Sequence, residues 1–238
     1  MGESKYKRIL LKLSGESFCE PGGFGIDGPA LQSLAERIVE ICKLGPQIAV
    51  VVGAGNFLRG DTLAQVSHIP RNTADYMGML ATIINACALQ ETLEKLGQPA
   101  TVFSAIEVPA MCETFIRRRA LAHLERGNVA ILAGGTGNPF FTTDTCAALR
   151  ASELDAGLII KATKVDGVYS DDPEKEPDAQ FFEKLSYNDF LTKSLRAMDH
   201  AAISLCRDNK IPIIVLNIFK KGHLTKAICG EQVGTLIC

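Results

Sequence analysis

Short apolar runs that alternate with amphipathic helical patterns constrain the fold of this chain most strongly. The runs IAVVV at 48–52 and VAILA at 129–133 contain no charged residue, which is typical of parallel strands covered on both faces. Between such runs, apolar residues recur at helical spacing, as at Leu31, Leu34 and Ile38. The alternation predicts an α/β three-layer sandwich with a central, mostly parallel sheet and helices on both faces.

The same patterns give approximate bounds for each element. Strands are predicted over residues 8–14, 48–52, 100–105, 129–133, 157–163, 211–217 and 234–238. Helices are predicted over residues 29–45, 72–96, 113–126, 143–154 and 198–209. Asp27 can cap the first helix, Pro29 suits its first turn and Gly45 can end it. No internal repeat interrupts the succession, so we expect a single domain over residues 1–238.

Charge and composition exclude several classes of partner. The 25 Lys and Arg residues nearly balance the 27 Asp and Glu residues, so nothing indicates binding to nucleic acid or to an anionic membrane. No apolar run approaches the roughly 18 residues of a membrane span, and the first residues lack a signal-peptide hydrophobic segment. We therefore expect a cytoplasmic protein.

The cysteines and histidines do not form the pattern of a metal site. The sequence has eight cysteines and four histidines, without a C-x-x-C pair or a His–Cys cluster at metal-ligand spacing. Most cysteines fall in apolar runs or on apolar helical faces, where a thiol acts as a small hydrophobe. We predict no metal-ligating residues.

Polar, glycine-rich segments follow four of the predicted strands. They are KLSGES at 12–17, GAGNFLRGD at 53–61, GGTGNPFFTTD at 134–144 and KVDGVYSDDP at 164–173. Each alone could be an ordinary turn, because glycine is common where a strand bends sharply. In open α/β sheets, however, ligands bind beyond the carboxyl ends of the strands. Four such segments at one edge predict a ligand site there.

Phosphate is the ligand that these segments suit best. Glycine lets backbone N–H groups approach an anion closely, Lys12 supplies a point charge, and Arg59 supplies a planar fork of donors. Lys12 could instead lie on a solvated strand face, and Arg59 could be an ordinary loop residue. The chain has neither G-x-x-x-x-G-K-[ST] nor a complete G-x-G-x-x-G after its first strand, which excludes a P-loop and weakens a dinucleotide interpretation.

Six separated motifs stand out along the chain: YKRILLKLSGE, GFGID, VVGAGNFLRG, ADYMGMLAT, GGTGNPFFTTD and KATKVDGVYSDDP. Together they resemble the motifs of the bacterial UMP kinases, within the amino-acid-kinase superfamily. The resemblance runs from about residue 6 to the C-terminus with short gaps. It implies transfer of the γ-phosphoryl group of ATP to UMP with Mg²⁺, a cytoplasmic homohexamer, activation by GTP and inhibition by UTP. It also implies an acceptor part mainly in residues 1–155 and an ATP part mainly in residues 156–238.

The resemblance assigns roles to individual positions. Catalysis falls to Lys12, Arg59 and Asp144, with Asp144 orienting Lys12 and the reacting groups. Apart from the resemblance, Lys161 and Lys164 are weaker candidates to help stabilise the transferring group. The ATP-binding positions are Lys12, Leu13, Ser14, Gly15, Gly55, Arg59, Thr163, Tyr169 and Asp172. The UMP-binding positions are Ala54, Asp75, Thr136, Gly137, Asn138, Pro139, Phe140, Phe141, Thr142 and Thr143. The positions tied to GTP activation are Gly23, Phe24, Gly25, Ile26 and Asp27.

Ala54 departs from the pattern, which usually has three glycines where this chain has Gly53-Ala54-Gly55. A methyl group is tolerable there if φ is negative, and it would crowd a phosphate if the position requires a positive φ.

The GGTGNPFFTTD segment has two interpretations. Its glycines, threonines and Asn138 can turn under a nucleotide and supply neutral hydrogen bonds, with Phe140 and Phe141 against the base. Alternatively, Thr142 or Thr143 caps a helix, a phenylalanine forms a hydrophobic staple and Asp144 only favours the helix dipole.

Two rival functions stay open on the residues alone. One is a kinase of the same fold that phosphorylates a carboxylate or carbamate; the other is an inactive sensor that only binds uridine nucleotides. The acidic segment at 171–178 is likewise either a solvated loop or a mobile flap over the nucleotide.

Overall fold

The structure is a computed structural model that describes residues 3–58 and 68–238. Its α-helices in these residues are α1 (Gly28–Cys42), α2 (Arg71–Lys95), α3 (Arg117–Glu125), α4 (Thr143–Glu153), α5 (Tyr187–Thr192), α6 (His200–Asp208) and α7 (His223–Ile228). A short 3-10 helix covers Gly15–Phe18. None of the helices in the described ranges has the length and apolar character needed to cross a membrane.

A single large sheet crosses the molecule. Its strands are β1 (Arg8–Leu13), β2 (Gln47–Val52), β3 (Ala100–Ser104), β4 (Glu113–Thr114), β5 (Val129–Ala133), β6 (Leu158–Thr163), β9 (Lys184–Leu185), β10 (Ile213–Asn217) and β11 (Thr235–Ile237). Within the described residues the strand order is β4-β3-β5-β2-β1-β6-β10-β11-β9. All neighbours pair in parallel except β10 and β11, which are antiparallel. The predicted mostly parallel sheet is confirmed.

Side-chain alternation along the strands divides the core into two halves. Leu11 and Leu13 of β1 pack with α1, α2 and α7, whereas Leu10 faces α3, α4, α5 and α6 on the other side. Successive strand residues point to opposite faces, and both faces of the central strands are buried. Helices therefore cover the sheet on both faces, as the sequence predicts.

Most predicted elements are present, and the largest error in their bounds lies at residues 113–126. Glu113 and Thr114 form the edge strand β4 beside β3, and α3 begins only at Arg117. The strand continues because Phe115 N donates to Ser104 O, while the Phe115 ring lies 3.9 Å under the Arg150 guanidinium. This tertiary pairing overrides the local helical pattern.

Two short strands flank the acidic segment at 171–178. Strands β7 (Val168–Tyr169) and β8 (Phe181–Phe182) pair antiparallel and form a two-stranded ribbon. Ser170 N donates to Gln180 O, which continues the pairing into the segment. Residues 171–180 therefore form the tip of a hairpin that begins close to the carboxyl end of β6.

Candidate active site

The four polar segments follow four strands that are neighbours in the sheet. Strands β5, β2, β1 and β6 lie side by side and run parallel, so their carboxyl ends meet at one edge. We name the segments after them: the β1 loop (residues 14–18), the β2 loop (53–58), the β5 loop (134–142) and the β6 loop (164–167). The predicted juxtaposition at one edge is present.

Two lysines and one carboxylate form a buried charged cluster at this edge. Lys12 of β1 is paired in register with Lys161 of β6, and Asp144 lies in the first turn of α4. Lys12 Nζ lies 2.8 Å from Asp144 Oδ1, and Lys161 Nζ donates a hydrogen bond to Oδ2. Lys12 is only 7% exposed, so the solvated-face alternative for this lysine is wrong.

Lys12 and Asp144 form a close, buried ion pair. The Lys12 ammonium lies 2.8 Å from Oδ1, and hydrogen bonding by the lysine contributes to the lowered pKa of the Asp144 carboxyl. An ammonium carries three donors that rotate together. Lys12 therefore has donors left for an incoming anion while Asp144 holds its charge in place.

Burial and charge act in opposite directions on the Asp144 carboxyl. Burial alone would raise its pKa, but the positive charges of Lys12 and Lys161 outweigh burial and lower the pKa to about 2. Burial also lowers the pKa of Lys161, against the opposing effect of Asp144. At neutral pH the carboxylate is ionised, and the two like charges on neighbouring strands share it.

The start of α4 is fixed by side-chain caps. Thr142 Oγ1 accepts hydrogen bonds from Asp144 N at 3.1 Å and Thr145 N at 3.2 Å, which is N-capping geometry. Asp199 accepts from the hydroxyl groups of both Thr142 and Thr145 and itself caps α6 through Ala202 N at 2.7 Å. Asp144 is thus held by a rigid helix start rather than by a free loop.

The β1 and β2 loops touch without room for a side chain between them. A Cβ atom added to Gly15 would lie 2.2 Å from Gly55 N, so only glycine fits. Ala54 is 8% exposed, and it is not among the described non-glycine residues with positive φ. Its methyl group therefore costs no backbone strain, so the backbone tolerates alanine where the family pattern usually has glycine.

The β5 loop is fastened to α2 and leaves its aromatic residues exposed. Asp75 of α2 accepts a hydrogen bond from Phe140 N at 2.8 Å and another from Arg71 Nε at 2.8 Å. Phe140 and Phe141 are 70% and 56% exposed, so neither is buried as a hydrophobic staple would be. Phe140 also has a positive φ of 71°, an unfavourable conformation for a large residue.

The other predicted acceptor positions lie within the same loop. Thr136 Oγ1 accepts from Asn138 N at 3.2 Å, and Gly137 has a φ of 80°. Pro139 follows directly, and Thr143 begins α4. The structure thus brings Asp75 together with Phe140, and it places Ala54 at the end of β2, the strand beside β5.

A cleft of about 590 Å³ lies beside the β7–β8 ribbon and is lined by predicted ATP-side residues Tyr169 and Asp172. A second cleft of about 480 Å³ reaches Asp144 and Asp199. Both clefts are lined by Ser194, Leu195 and Arg196, so they adjoin along that segment. Thr163 ends β6 nearby, where its hydroxyl bonds the backbone of Val165.

The segment Gly23–Asp27 is hydrogen-bonded to the β2 loop. Gly25 N donates to Asn56 O at 2.9 Å, and Asn56 Nδ2 donates to Gly25 O at 2.7 Å. Phe24 is 80% exposed and meets Phe57 edge to face at 5.8 Å, while Ile26 packs against the core. Asp27 caps α1 through Ala30 N at 2.8 Å, as the sequence predicts.

A family model matches most of the chain. The matching model is that of the amino acid kinase family, over residues 7–217. The chain belongs to this family.

Relatives of this amino acid kinase share its full length. A uridylate kinase from Methylococcus capsulatus is 51% identical over 237 residues, which cover 100% of this chain and 99% of the relative. The UMP kinase structure from Bacillus anthracis is 38% identical with a TM-score of 0.93, covering 98% of this chain and 96% of that one. The UMP kinase structure from Ureaplasma parvum is 36% identical with a TM-score of 0.90, covering 100% and 99%. The resemblance predicted from the motifs is confirmed.

Sequence reasoning also left gaps in this site. Arg59, assigned to catalysis and to ATP, lies outside the described residues. Lys161 was ranked no higher than Lys164, yet it contacts Asp144, whereas Lys164 is exposed and pairs with Glu174. The pairing of β1 with β6 places Lys161, and not Lys164, directly beside Lys12. This register is the signal that distinguishes Lys161 from Lys164.

Asp199 and residues 194–196 were not singled out at all. Asp199 lies more than fifty residues beyond Thr142 and Thr145, to which it is hydrogen-bonded. No local pattern links such distant positions. The capping pattern of α6 marks Asp199 only as a helix start.

Proposed function

We propose that this chain is a UMP kinase of pyrimidine nucleotide biosynthesis that transfers the γ-phosphoryl group of ATP to UMP, yielding UDP and ADP. The observation that carries the proposal is the Lys12–Asp144–Lys161 cluster beside the β5 loop. A full-length uridylate kinase at 51% identity supports the same substrate pair.

The reaction needs charge neutralisation more than a strong base. A UMP phosphate oxygen forms the new bond to the γ-phosphorus while the bond from that phosphorus to the β,γ-bridging oxygen breaks, and ADP leaves. The attacking oxygen is already anionic, so no side chain has to remove a proton. The barrier comes from bringing two polyanions together, which fixed cations lower.

Lys12 and Lys161 supply the fixed positive charge of the proposed site. Asp144 keeps both ammonium groups at the carboxyl ends of β1 and β6 before the substrates arrive. Preorganised charge of this kind lowers a barrier because it needs no rearrangement during the reaction. Arg59 is proposed to add a bidentate contact to the phosphates.

ATP is proposed to lie across β1 and β6. Its phosphates would contact the segment Lys12–Gly15 together with Gly55 and Arg59, and its adenosine would occupy the 590 Å³ cleft near Thr163, Tyr169 and Asp172. Mg²⁺ is proposed to enter with ATP as part of the substrate, because this ion prefers phosphate oxygens and water. The Asp144 oxygens face the two lysines, which does not favour this carboxylate as a metal ligand.

UMP is proposed to lie over the β5 loop. The exposed rings of Phe140 and Phe141 offer apolar surface to the base, and residues 136–143 offer hydroxyl, amide and backbone donors. Ala54 and Asp75 border the same site. This division corresponds to an acceptor part mainly in residues 1–155 and an ATP part mainly in residues 156–238.

Assembly into a homohexamer is proposed, with the outer face of α2 as one contact surface. Tyr76, Leu80 and Ile84 recur every four residues and are 43%, 47% and 53% exposed, so they form one apolar stripe. A second copy of the chain would cover this stripe. The proposed compartment is the cytoplasm.

GTP is proposed to activate the enzyme through the segment Gly23–Asp27, and UTP to inhibit it. The hydrogen bonds between Gly25 and Asn56 give the segment a direct connection to the β2 loop. Binding near Phe24 would therefore act on a loop of the proposed active site.

A phosphoryl-transfer assay with several acceptors tests the proposal. ATP is offered with UMP, CMP, dUMP, aspartate or acetylglutamate, with and without GTP. Among these acceptors we expect rapid turnover only with UMP, and we expect the rate of that reaction to change when GTP is added. Preference for a carboxylate acceptor would favour a different kinase activity, and tight UMP binding without transfer would favour a sensor; either result overturns the proposal.

A further inference from the structure

Two buried polar residues of α2 each form a hydrogen bond to the first glycine of a loop, one in the β5 loop and one in the β2 loop. Thr82 and Asn85 are 2% and 0% exposed and lie one helical turn apart, facing the carboxyl ends of β5 and β2. Buried polar groups are costly unless they are hydrogen-bonded. The partners of these two side chains therefore reveal what they do.

Thr82 binds the β5 loop at its first residue. Its hydroxyl donates to Met79 O at 2.6 Å within α2 and accepts from Gly134 N at 2.8 Å. Since the proton is committed to the helix, the lone pairs of the oxygen point to Gly134. Gly134 has a φ of 74°, and an added Cβ would lie 2.8 Å from Ser104 Oγ, so the backbone has little freedom to find another acceptor.

Asn85 binds the β2 loop in the same way. Its Nδ2 donates to Gly53 O at 2.8 Å and to Asn56 Oδ1 at 2.8 Å. Its Oδ1 accepts from Asn56 Nδ2 at 3.0 Å, so the two amides form a closed pair. The side chain that fastens Gly53 also fixes the residue that bonds Gly25.

We propose that Thr82 and Asn85 are positioning residues, which set the separation of the β5 and β2 loops for phosphoryl transfer. The inference rests on the proposed function, because the β5 loop is assigned there to UMP. The two side chains do not touch substrate; they act through the backbone of Gly134 and Gly53. An alternative is that both only satisfy buried backbone groups, which would affect stability but not nucleotide affinity.

The Thr82→Val and Thr82→Ser pair separates these two possibilities. Valine has the shape of threonine but cannot accept from Gly134 N, whereas serine can. We expect Thr82→Val to raise the KM for UMP about tenfold, the effect of one lost buried hydrogen bond, with the KM for ATP changed less than twofold. Thr82→Ser should restore the wild-type KM for UMP.

Hydrogen exchange at the Gly134 amide, measured in a peptide that spans this residue, gives a readout that does not depend on activity. It should accelerate about tenfold in Thr82→Val and stay at the wild-type rate in Thr82→Ser. Asn85→Leu is the companion variant for the β2 loop and should raise the KM for both nucleotides. Unchanged KM values in Asn85→Leu would overturn the role of Asn85. If that variant does not fold, Asn85→Ala is measured in its place under the same criterion, and the Thr82 pair decides the role of Thr82.

The outcomes are distinguishable. Equal KM values for UMP in Thr82→Val and Thr82→Ser would overturn the positioning role, even if the two variants differ in melting temperature or in exchange. Absence of UMP phosphorylation by the wild-type chain would instead reject the proposed function. In that case, unchanged exchange at Gly134 in Thr82→Val would reject the positioning role as well, and faster exchange would support the Thr82 contact as the fastening of the loop.

Discussion

Lys12 and Lys161 are register partners on the neighbouring parallel strands β1 and β6, and both contact the same carboxylate, Asp144. Like charges side by side repel, and burial increases the cost. The arrangement is stable because Asp144 enters between them from the first turn of α4. An anionic substrate would meet a pair of cations that share only one negative charge.

Replacing Lys12 tests the role of this cation in turnover. We expect Lys12→Ala to lower kcat about a hundredfold or more, because a preorganised charge is lost in the transition state. The fold should survive, since Asp144 keeps Lys161 as a partner. Steady-state kinetics and circular dichroism measure both effects, with Lys43→Ala on the surface as the matched control. Near-normal turnover in Lys12→Ala would reject its assigned role.

Replacing Asp144 tests the electrostatic account of the cluster. Asp144→Asn leaves two buried ammonium groups without a counter-charge, which should lower the free energy of unfolding by about 3–5 kcal/mol at neutral pH. Urea unfolding measures the loss. A loss below about 1 kcal/mol, as for an exposed ion pair, would show that the cluster is not the buried unit described above.

The same variant gives a pH signature whose sign is fixed. The pKa of Asp144 is lowered in the folded chain from 3.8 to about 2, so its stabilising effect is present above pH 4 and is lost as the pH falls through about 2. The difference in unfolding free energy between wild type and Asp144→Asn should therefore shrink by about 2 kcal/mol between pH 4 and pH 2. A constant difference over that range would contradict the assignment.

Asp75 is expected to act on the acceptor side only. Asp75 accepts hydrogen bonds from Phe140 N and from Arg71 Nε. Asp75→Asn removes its negative charge and leaves the side chain one acceptor oxygen for these two donors. The KM for UMP should therefore rise about tenfold, with little change in the KM for ATP. Two-substrate kinetics measure both constants, and Glu91→Gln on the same helix is the control. An unchanged UMP saturation curve would remove Asp75 from the proposed site.

Phe140 combines exposure with an unfavourable backbone conformation. Glycine relieves a positive φ, and its own entropy cost offsets part of the gain. We therefore expect Phe140→Gly to keep the unfolding free energy within about 1 kcal/mol of wild type while raising the KM for UMP severalfold. Phe219→Ala, an exposed aromatic outside the site, is the control. A large loss of stability with normal UMP kinetics would assign Phe140 a packing role instead.

The apolar stripe on α2 predicts a change in assembly. Leu80→Glu combined with Ile84→Glu places two like charges where a second copy is proposed to bind, so light scattering should detect a smaller species with native circular dichroism. Arg207→Glu on α6, across the sheet, should leave the mass unchanged. An unaltered mass in the double variant would exclude this stripe as a contact surface.

Helix α2 shows most clearly where the sequence misleads. The helix itself is predictable from its length and spacing, but Leu80 and Ile84 are exposed whereas Thr82 and Asn85 are buried. Ile83, Ala86 and Leu89 of the same helix do pack into the core. The edge that carries Thr82 and Asn85 packs instead against backbone groups of loops. Hydrogen-bonding needs of distant glycines cannot be inferred from helical periodicity.

Strand patterns, in contrast, carry much of the site with them. Strict alternation places Lys12 and Lys161 on the face opposite Leu11 and Ile160, and the glycine segments follow from strand ends. Contacts such as Thr142 with Asp199, or Phe115 with Arg150, depend on how the helices pack beside one another on one face of the sheet. Those arrangements are tertiary, and one sequence without its fold does not reveal them.

The capped start of α4 separates the chemistry of this scaffold from its choice of acceptor. The β5 loop runs without interruption into Thr142, whose cap fixes the turn that carries Asp144. Asp199 holds the same turn from another helix, so inserting or deleting a residue between Gly134 and Thr142 would reshape the loop and leave the carboxylate beside both lysines. New acceptor preferences should therefore be able to arise through changes in the side chains or the length of this loop, without disturbing the charged cluster.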